Sequence, residues 1–139
     1  MKQFTNEITF QTTGSSLLDV TGPIKSWVDD QDISKGLLTV FIKHTSASLV
    51  VQENADPDVL FDLNSYFRKL VPEGDQLYRH STEGPDDMPA HIKAALTQTQ
   101  LNVPISDNEL MLGLWQGIYI FEHRAHAHKR TIALHIIGE

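Results

Sequence analysis

The chain reads as an α+β domain built on a mainly antiparallel sheet. Strand-like and helix-like segments do not alternate strictly, and consecutive strand segments are joined by short turns. The 139 residues suit one domain, spanning 1–139. Hydrophobic residues at 40% and charged residues at 21% match ordinary globular usage. A chain of this length buries a core without disulfide or metal staples.

The elements follow in order. Phe4, Ile8 and Phe10 fall on even positions and mark a strand over 2–11. Gly14 turns the chain into a short strand over 16–20. A helix over 21–33 is predicted, with Thr21 as cap, Pro23 in the first turn, and Ile24, Trp27 and Val28 on one face. The run LLTVFIKH (37–44) is β-branched and apolar, a strand buried on at least one face, and 48–52 continues as another. Asp56-Pro57 starts the clearest helix: Asp56 caps, Pro57 takes the first position, and Leu60, Leu63, Phe67 and Leu70 recur at spacings of three and four. Pro72 to Gly74 closes it, and a Gly/Pro/Asp-rich loop follows over 78–88. Pro89 opens a further helix carrying His91, Ala94 and Ala95. Strands are predicted over 101–105, 110–112, 117–124 and 130–137. The last two form a hairpin around 125–129.

Several chemistries are excluded outright. With no cysteine there is no disulfide framework, thiolate metal site or thiol nucleophile. P-loop, G-x-G-x-x-G, H-E-x-x-H and G-x-S-x-G motifs are absent. The net charge of −7, with basic residues scattered outside 123–130, argues against nucleic-acid binding. No leader-like or membrane-spanning stretch is present, so a cytoplasmic protein without membrane contact is expected. An acidic chain binds a phosphate ester only with local cations, from a metal or a few placed Arg and Lys.

Strand phase exposes two anomalies. His44 ends the face formed by Leu38, Val40 and Ile42. It is either a satisfied histidine at a sheet edge or a ligand. The hydroxyls of Thr45, Ser46 and Ser48 follow, forming either a polar turn or an anion contact. Gln116, Ile118, Ile120, Glu122 and Arg124 share another face, which puts a carboxylate in line with core residues. Glu122 then needs a partner, and Arg130 in the expected hairpin is the nearest. The pair reads equally as a structural bridge and as a functional one. The loop before Pro89 carries His80, Glu83, Asp86, Asp87 and His91. One aspartate is expected to cap the helix. His91 lies in the first turn, where the dipole disfavours its charged form and leaves an imidazole able to ligate metal. His123, His126 and His128 are the densest histidine group, but their spacing matches no zinc motif and they fall near a predicted hairpin tip.

Four segments together carry a family resemblance: HTSASLVVQENADPDVLFDL (44–63), HSTEGPDDMPAHIKAAL (80–96), LGLWQGIYIFEHR (112–124) and KRTIALHIIGE (129–139). Over essentially the whole chain they resemble the YjbQ-like family, described as secondary thiamine-phosphate synthases. Leu114 stands where the family pattern L-G-T-W-Q has threonine, and Gln98-Thr99-Gln100 replaces a glycine-bearing loop. The resemblance implies a compact fold with a mixed sheet and packed helices, and a homotrimer. It also implies a weak or side activity joining hydroxymethylpyrimidine diphosphate to thiazole phosphate, with release of pyrophosphate.

Carried over by position, it implies catalytic roles for His44, Asp87, Glu122 and Arg130. Substrate contacts fall on Thr45, Ser46, Asn54, Asp56, Trp115 and Gln116. A divalent metal is implied on His44, His80 and His91. Glu53, Asp56 and Asp87 are alternative oxygen donors for magnesium, whereas imidazoles suit zinc. His126 and His128 fall where the family varies. Two other readings stand beside this one: a metal- or phosphometabolite-binding protein without turnover, and another small-molecule enzyme.

Overall fold

The computed structural model describes residues 1–74 and 76–139. Its elements are β1 (Lys2–Gln11), β2 (Ser16–Asp19), α1 (Thr21–Asp29), β3 (Lys35–Ile42), β4 (Ala47–Glu53) and α2 (Pro57–Leu70). There follow α3 (Asp87–Leu96), β5 (Gln100–Ser106), β6 (Glu109–Leu110), β7 (Gln116–Glu122) and β8 (Lys129–Gly138). The α+β class holds.

The strands form two sheets, a five-stranded one in the order β1-β8-β3-β5-β6 and a three-stranded one in the order β2-β7-β4. Every pairing between these strands is antiparallel, so the sheet is not mixed. The expected β7–β8 hairpin is also corrected. β7 pairs with β2 and β4, β8 with β1 and β3, and residues 123–128 carry the chain from one sheet to the other. Every residue of β7 after Gln116 is buried, which demands cover on both faces and a central place. β8 alternates, with Arg130, Ile132, Leu134 and Ile136 turned inward.

The core lies between the sheets. Leu38, Val40, Ile42, Leu134 and Ile136 from one side meet Leu49, Ile118 and Ile120 from the other, and Ile24 and Val28 of α1 close one end. At the closest approach of β3 and β8, a side chain on Gly138 would stand 2.1 Å from the Lys35 carbonyl, so only glycine fits. The helices α2 and α3 lie against the three-stranded sheet. The outer face of the five-stranded sheet presents Leu37 and Phe41 beside a cavity of about 330 Å³ lined by Thr5, Thr39, Ala133 and His135.

Two details of α1 differ from expectation. Thr21 is the first residue of α1 and not its cap; its hydroxyl accepts the Ile118 N–H at 2.8 Å, tying the helix to β7. α1 ends at Asp29, short of Ile33. α2 starts on the expected cap, with Asp56 Oδ1 accepting the Asp58 N–H at 2.9 Å. Yet none of its residues is fully buried and Leu70 is exposed, so this helix shields the sheet without entering the core.

Candidate functional site

The structure builds a polar cluster where α3 begins. Asp87 and His91 are one helical turn apart and so share a face. The preceding loop brings His80 back onto them. His80 Nε2 makes a short contact with Asp87 Oδ2, and His91 Nε2 lies 3.3 Å from the same oxygen. The three donor atoms all lie within 4.8 Å of one another.

The orientation of His91 is fixed from behind. Its Nδ1–H donates to the Thr45 carbonyl at 2.9 Å, because a carbonyl only accepts. His91 Nε2 then faces the Asp87 carboxylate, as an N–H donor when the ring is protonated and as a lone pair when it is neutral. Two lone pairs facing each other need a proton or a metal cation between them. This donor set of two imidazoles and one carboxylate fits a transition-metal ion, and a backbone carbonyl behind a ligating histidine is the usual orienting partner. Both Asp86 and Asp87 were candidates to cap α3, but neither side chain does. Asp86 sits at the cap position without a capping bond and instead binds Arg124 and the Ala125 N–H.

Arg124 organises the carboxylates. Its Nη1 lies 2.8 Å from Asp87 Oδ1, its Nε donates to Asp86 Oδ2 at 2.9 Å, and its Nη2 donates to the Glu83 carbonyl at 3.1 Å. Asp87 thus spends one oxygen on the guanidinium and presents the other to the histidines. Burial opposes its charge, but His80, the Glu83 carboxyl, Arg124 and His91 outweigh it and lower its pKa. The pKa of Asp86 is also lowered: burial raises it, and the Ala125 N–H and Arg124 overcome that.

Glu122 and Arg130 form a closed pair between the sheets. Glu122 is 0% exposed. Arg130 donates from Nε to Oε2 at 2.6 Å and from Nη2 to Oε1 at 2.5 Å, and Thr12 adds a hydroxyl to Oε2 at 2.8 Å. Burial raises the Glu122 pKa, but Arg130, the Arg124 N–H and Thr12 bring it below the usual range. Arg130 Nη2 also holds Ser46 Oγ at 3.0 Å. Both residues therefore brace the 44–46 turn on which His91 is seated.

His44 does not join the cluster with His80 and His91; Asp87 takes that place. The Thr131 N–H donates to His44 Nε2 at 2.8 Å, which fixes the Nδ1–H tautomer. Burial, then Arg130, lowers its pKa and keeps it neutral. His44 and Thr45 line a cavity of about 310 Å³ together with His91, Ala94, Ala95 and Thr99.

Four expected substrate contacts lie elsewhere. β4 and β7 pair from Ala47–Glu122 at one end to Glu53–Gln116 at the other. At about 3.3 Å per residue these ends are roughly 20 Å apart. Asn54, Asp56, Trp115 and Gln116 cluster at the far end. Asn54 Nδ2 donates to the Leu114 carbonyl at 3.3 Å and its N–H donates to the Trp115 carbonyl at 3.0 Å. Gln116 Oε1 accepts the Gly113 N–H at 2.7 Å, while Trp115 is 60% exposed.

Sequence reasoning offers Asp86 only as a helix cap and gives Arg124 no role, although strand phase puts Arg124 in line with Glu122. The histidine group 123–128 also divides. His128 Nδ1 donates to the His126 carbonyl at the chain reversal, whereas His123 is 3% exposed, with Nε2 2.8 Å from Ser48 Oγ. Burial, then Lys93, pushes the His123 pKa down to about 3. The visible signal was alternation, since His123 follows Tyr119 and Phe121 on one face.

The comparisons with known proteins agree with this architecture. The family model "UPF0047 protein YjbQ-like" matches residues 6–139. UPF0047 protein sll1880 of Synechocystis sp. is 49% identical over 138 residues, covering 99% of this chain and 94% of that protein. UPF0047 protein YjbQ of Salmonella typhimurium is 44% identical over 107 residues, 77% of each chain. A crystal structure of a YjbQ/UPF0047-family protein from Clostridium acetobutylicum superposes with a TM-score of 0.87 at 35% identity, covering 95% of this chain and 99% of that one. With its fold and nearly its whole length matched, the chain belongs to the YjbQ-like UPF0047 family.

Proposed function

We propose that the protein is a metal-dependent enzyme acting on phosphorylated small molecules, with a divalent cation held by His80, Asp87 and His91. One observation carries this reading: two imidazole nitrogens converge on a single carboxylate oxygen, with one ring oriented from behind by a backbone carbonyl. The mixed nitrogen and oxygen donors favour zinc or a similar transition ion over magnesium. The reaction we propose is the one the family resemblance implies, the joining of hydroxymethylpyrimidine diphosphate and thiazole phosphate as a secondary activity. When bound, the ion supplies charge stabilisation to the departing pyrophosphate.

The chain's own residues prepare the site. Arg124 turns Asp87 so that Oδ2 faces the histidines. The Thr45 carbonyl sets the His91 tautomer. The Glu122–Arg130 pair holds Ser46, and through it the turn that carries Thr45. The cavity beside His91 joins an apolar wall, Ala94 and Ala95, to Thr45, Thr99 and a neutral His44. Its volume of about 310 Å³ suits a ring-sized substrate portion. The homotrimer remains part of the proposal, and the uncovered apolar residues of the five-stranded sheet support it.

Steady-state turnover with metal-stripped and metal-restored protein tests the reading. Thiamine phosphate is expected only with metal, and Asp87→Asn should abolish it. Bound metal without product would make the protein a binding module. Light scattering should give three times the 15.6 kDa chain mass, and a monomer would remove the trimer.

A further inference from the structure

The loop before α3 brings a further carboxylate to the edge of the cluster, beside His80 but outside the three donors that lie within 4.8 Å of one another. Glu83 Oε2 lies 3.5 Å from His80 Nε2, and its carboxyl is among the groups that lower the Asp87 pKa. The backbone beneath it is fixed. The Glu83 carbonyl accepts Arg124 Nη2 at 3.1 Å. Gly84 then turns the chain at a φ of 104°, and a side chain there would stand 3.1 Å from Asp86 Oδ1. The guanidinium that orients Asp86 and Asp87 therefore also sets the point from which the Glu83 side chain departs.

Charge around this arginine does not balance within the cluster. Glu83, Asp86 and Asp87 surround one guanidinium, and with neutral histidines two negative charges stay uncompensated. Asp86 is satisfied by Arg124 and the Ala125 N–H. The excess thus falls between Glu83 and Asp87, on the side where His80 and His91 converge. Adjacent carboxylates repel unless a proton or cation lies between them. Protons on both imidazoles, or one divalent cation in their place, match the sign and the size of the deficit. The two acids also differ in freedom, since the Asp87 side chain is 2% exposed and that of Glu83 is 64% exposed.

We infer that Glu83 is a fourth and exchangeable donor to the cation site of His80, Asp87 and His91, held when the site has no substrate and displaced by an anionic ligand. The inference rests on the metal reading above. Four-donor closure suits a resting site, and one yielding donor gives the open position that a catalytic site requires.

The test uses Co²⁺ alone, then inorganic phosphate, with the full chain as wild type, Glu83→Gln and Asp87→Asn. Matching melting curves for wild type and Glu83→Gln would confirm the fold, as expected for an exposed side chain. Calorimetry should show Co²⁺ binding weakened about tenfold in Glu83→Gln and more in Asp87→Asn, within the range expected for lost metal-site partners. The visible Co²⁺ spectrum of Glu83→Gln should differ from that of wild type. Phosphate should bind Co²⁺-loaded Glu83→Gln more tightly than wild type, because no carboxylate has to leave. Unchanged Co²⁺ affinity and spectrum in Glu83→Gln, with Asp87→Asn still weakened, would overturn the inference and leave the three-residue site intact. Equal phosphate affinity in wild type and Glu83→Gln would overturn the exchange. Failure of wild type to bind Co²⁺ would overturn both the inference and the metal reading.

Discussion

The two ends of the three-stranded sheet use polar residues in opposite ways. At the end where Ala47 pairs with Glu122, side chains from four parts of the chain converge, and their bonds pass from one element to another. Thr12, Ser46, Glu122 and Arg130 brace a turn, and that turn orients His91. At the other end, where Glu53 pairs with Gln116, polar groups satisfy nearby backbone. Asn54 and Gln116 close the 113–116 loop, and Asp56 caps its own helix. A family motif thus marks both ends, but only the first brings imidazole nitrogens and a buried carboxylate to one point.

The largest expected contrast between the ends is in stability. Glu122→Ala leaves a buried guanidinium unpaired and should cost about 3–5 kcal/mol in urea unfolding. A loss below about 1 kcal/mol would show that the 44–46 turn does not depend on the pair. The Glu122 pKa is lowered, so its contribution is complete above the unfolded value of 4.5 and is lost as pH falls through the folded value.

Metal affinity comes next. Asp87→Asn should weaken Zn²⁺ binding at least a hundredfold, about 2.7 kcal/mol, in calorimetry. Asp56→Asn at the far end should leave it unchanged. Equal effects from the two variants would erase the distinction between the ends.

A smaller effect concerns His123, whose pKa falls from 6.5 to about 3 because it is buried. The unfolded chain takes up a proton below pH 6.5 that the folded chain refuses. Stability should therefore drop by about 1.4 kcal/mol per pH unit as pH falls below that value, about 2 kcal/mol by pH 5. His44 acts in the same direction. His123→Gln should flatten the slope without removing it, and an unchanged slope would show that His123 is not the group responsible. The smallest effect is expected for Asn54→Ala, which removes the long Nδ2 bonds to the Leu114 and Gln116 carbonyls, 3.3 and 3.4 Å, and should cost about 1 kcal/mol in melting experiments.

Much of this contrast is legible in the sequence, for physical reasons that differ by residue. α2 announces itself because Asp56-Pro57 and the spacing of Leu60, Leu63 and Phe67 are local signals. The Glu122–Arg130 pair follows from strand phase, since a carboxylate in line with Ile118 and Ile120 must find a cation. The geometry behind the pair is different, because it spans two sheets and closes no hairpin. Residues 123–128 look like a hairpin tip because a crossing between sheets has the same polar, turn-rich composition. Arg124 was visible in phase, but its partners come from a loop some forty residues earlier, a distance no local pattern crosses. His44 looks like a ligand from its position at a strand end, and only the Thr131 N–H shows where its Nε2 is spent.

The central claim is that His91 is a prepared ligand and not an ordinary surface histidine. Long-range ¹H–¹⁵N spectra of the imidazoles, recorded while Zn²⁺ is added, address it most directly. The account predicts that His91 carries its proton on Nδ1, bonded to the Thr45 carbonyl, and that its Nε2 resonance shifts on binding together with that of His80. His126 and His128 should stay in place. A His91 protonated on Nε2 alone, or Zn²⁺ shifts confined to His126 and His128, would contradict the account.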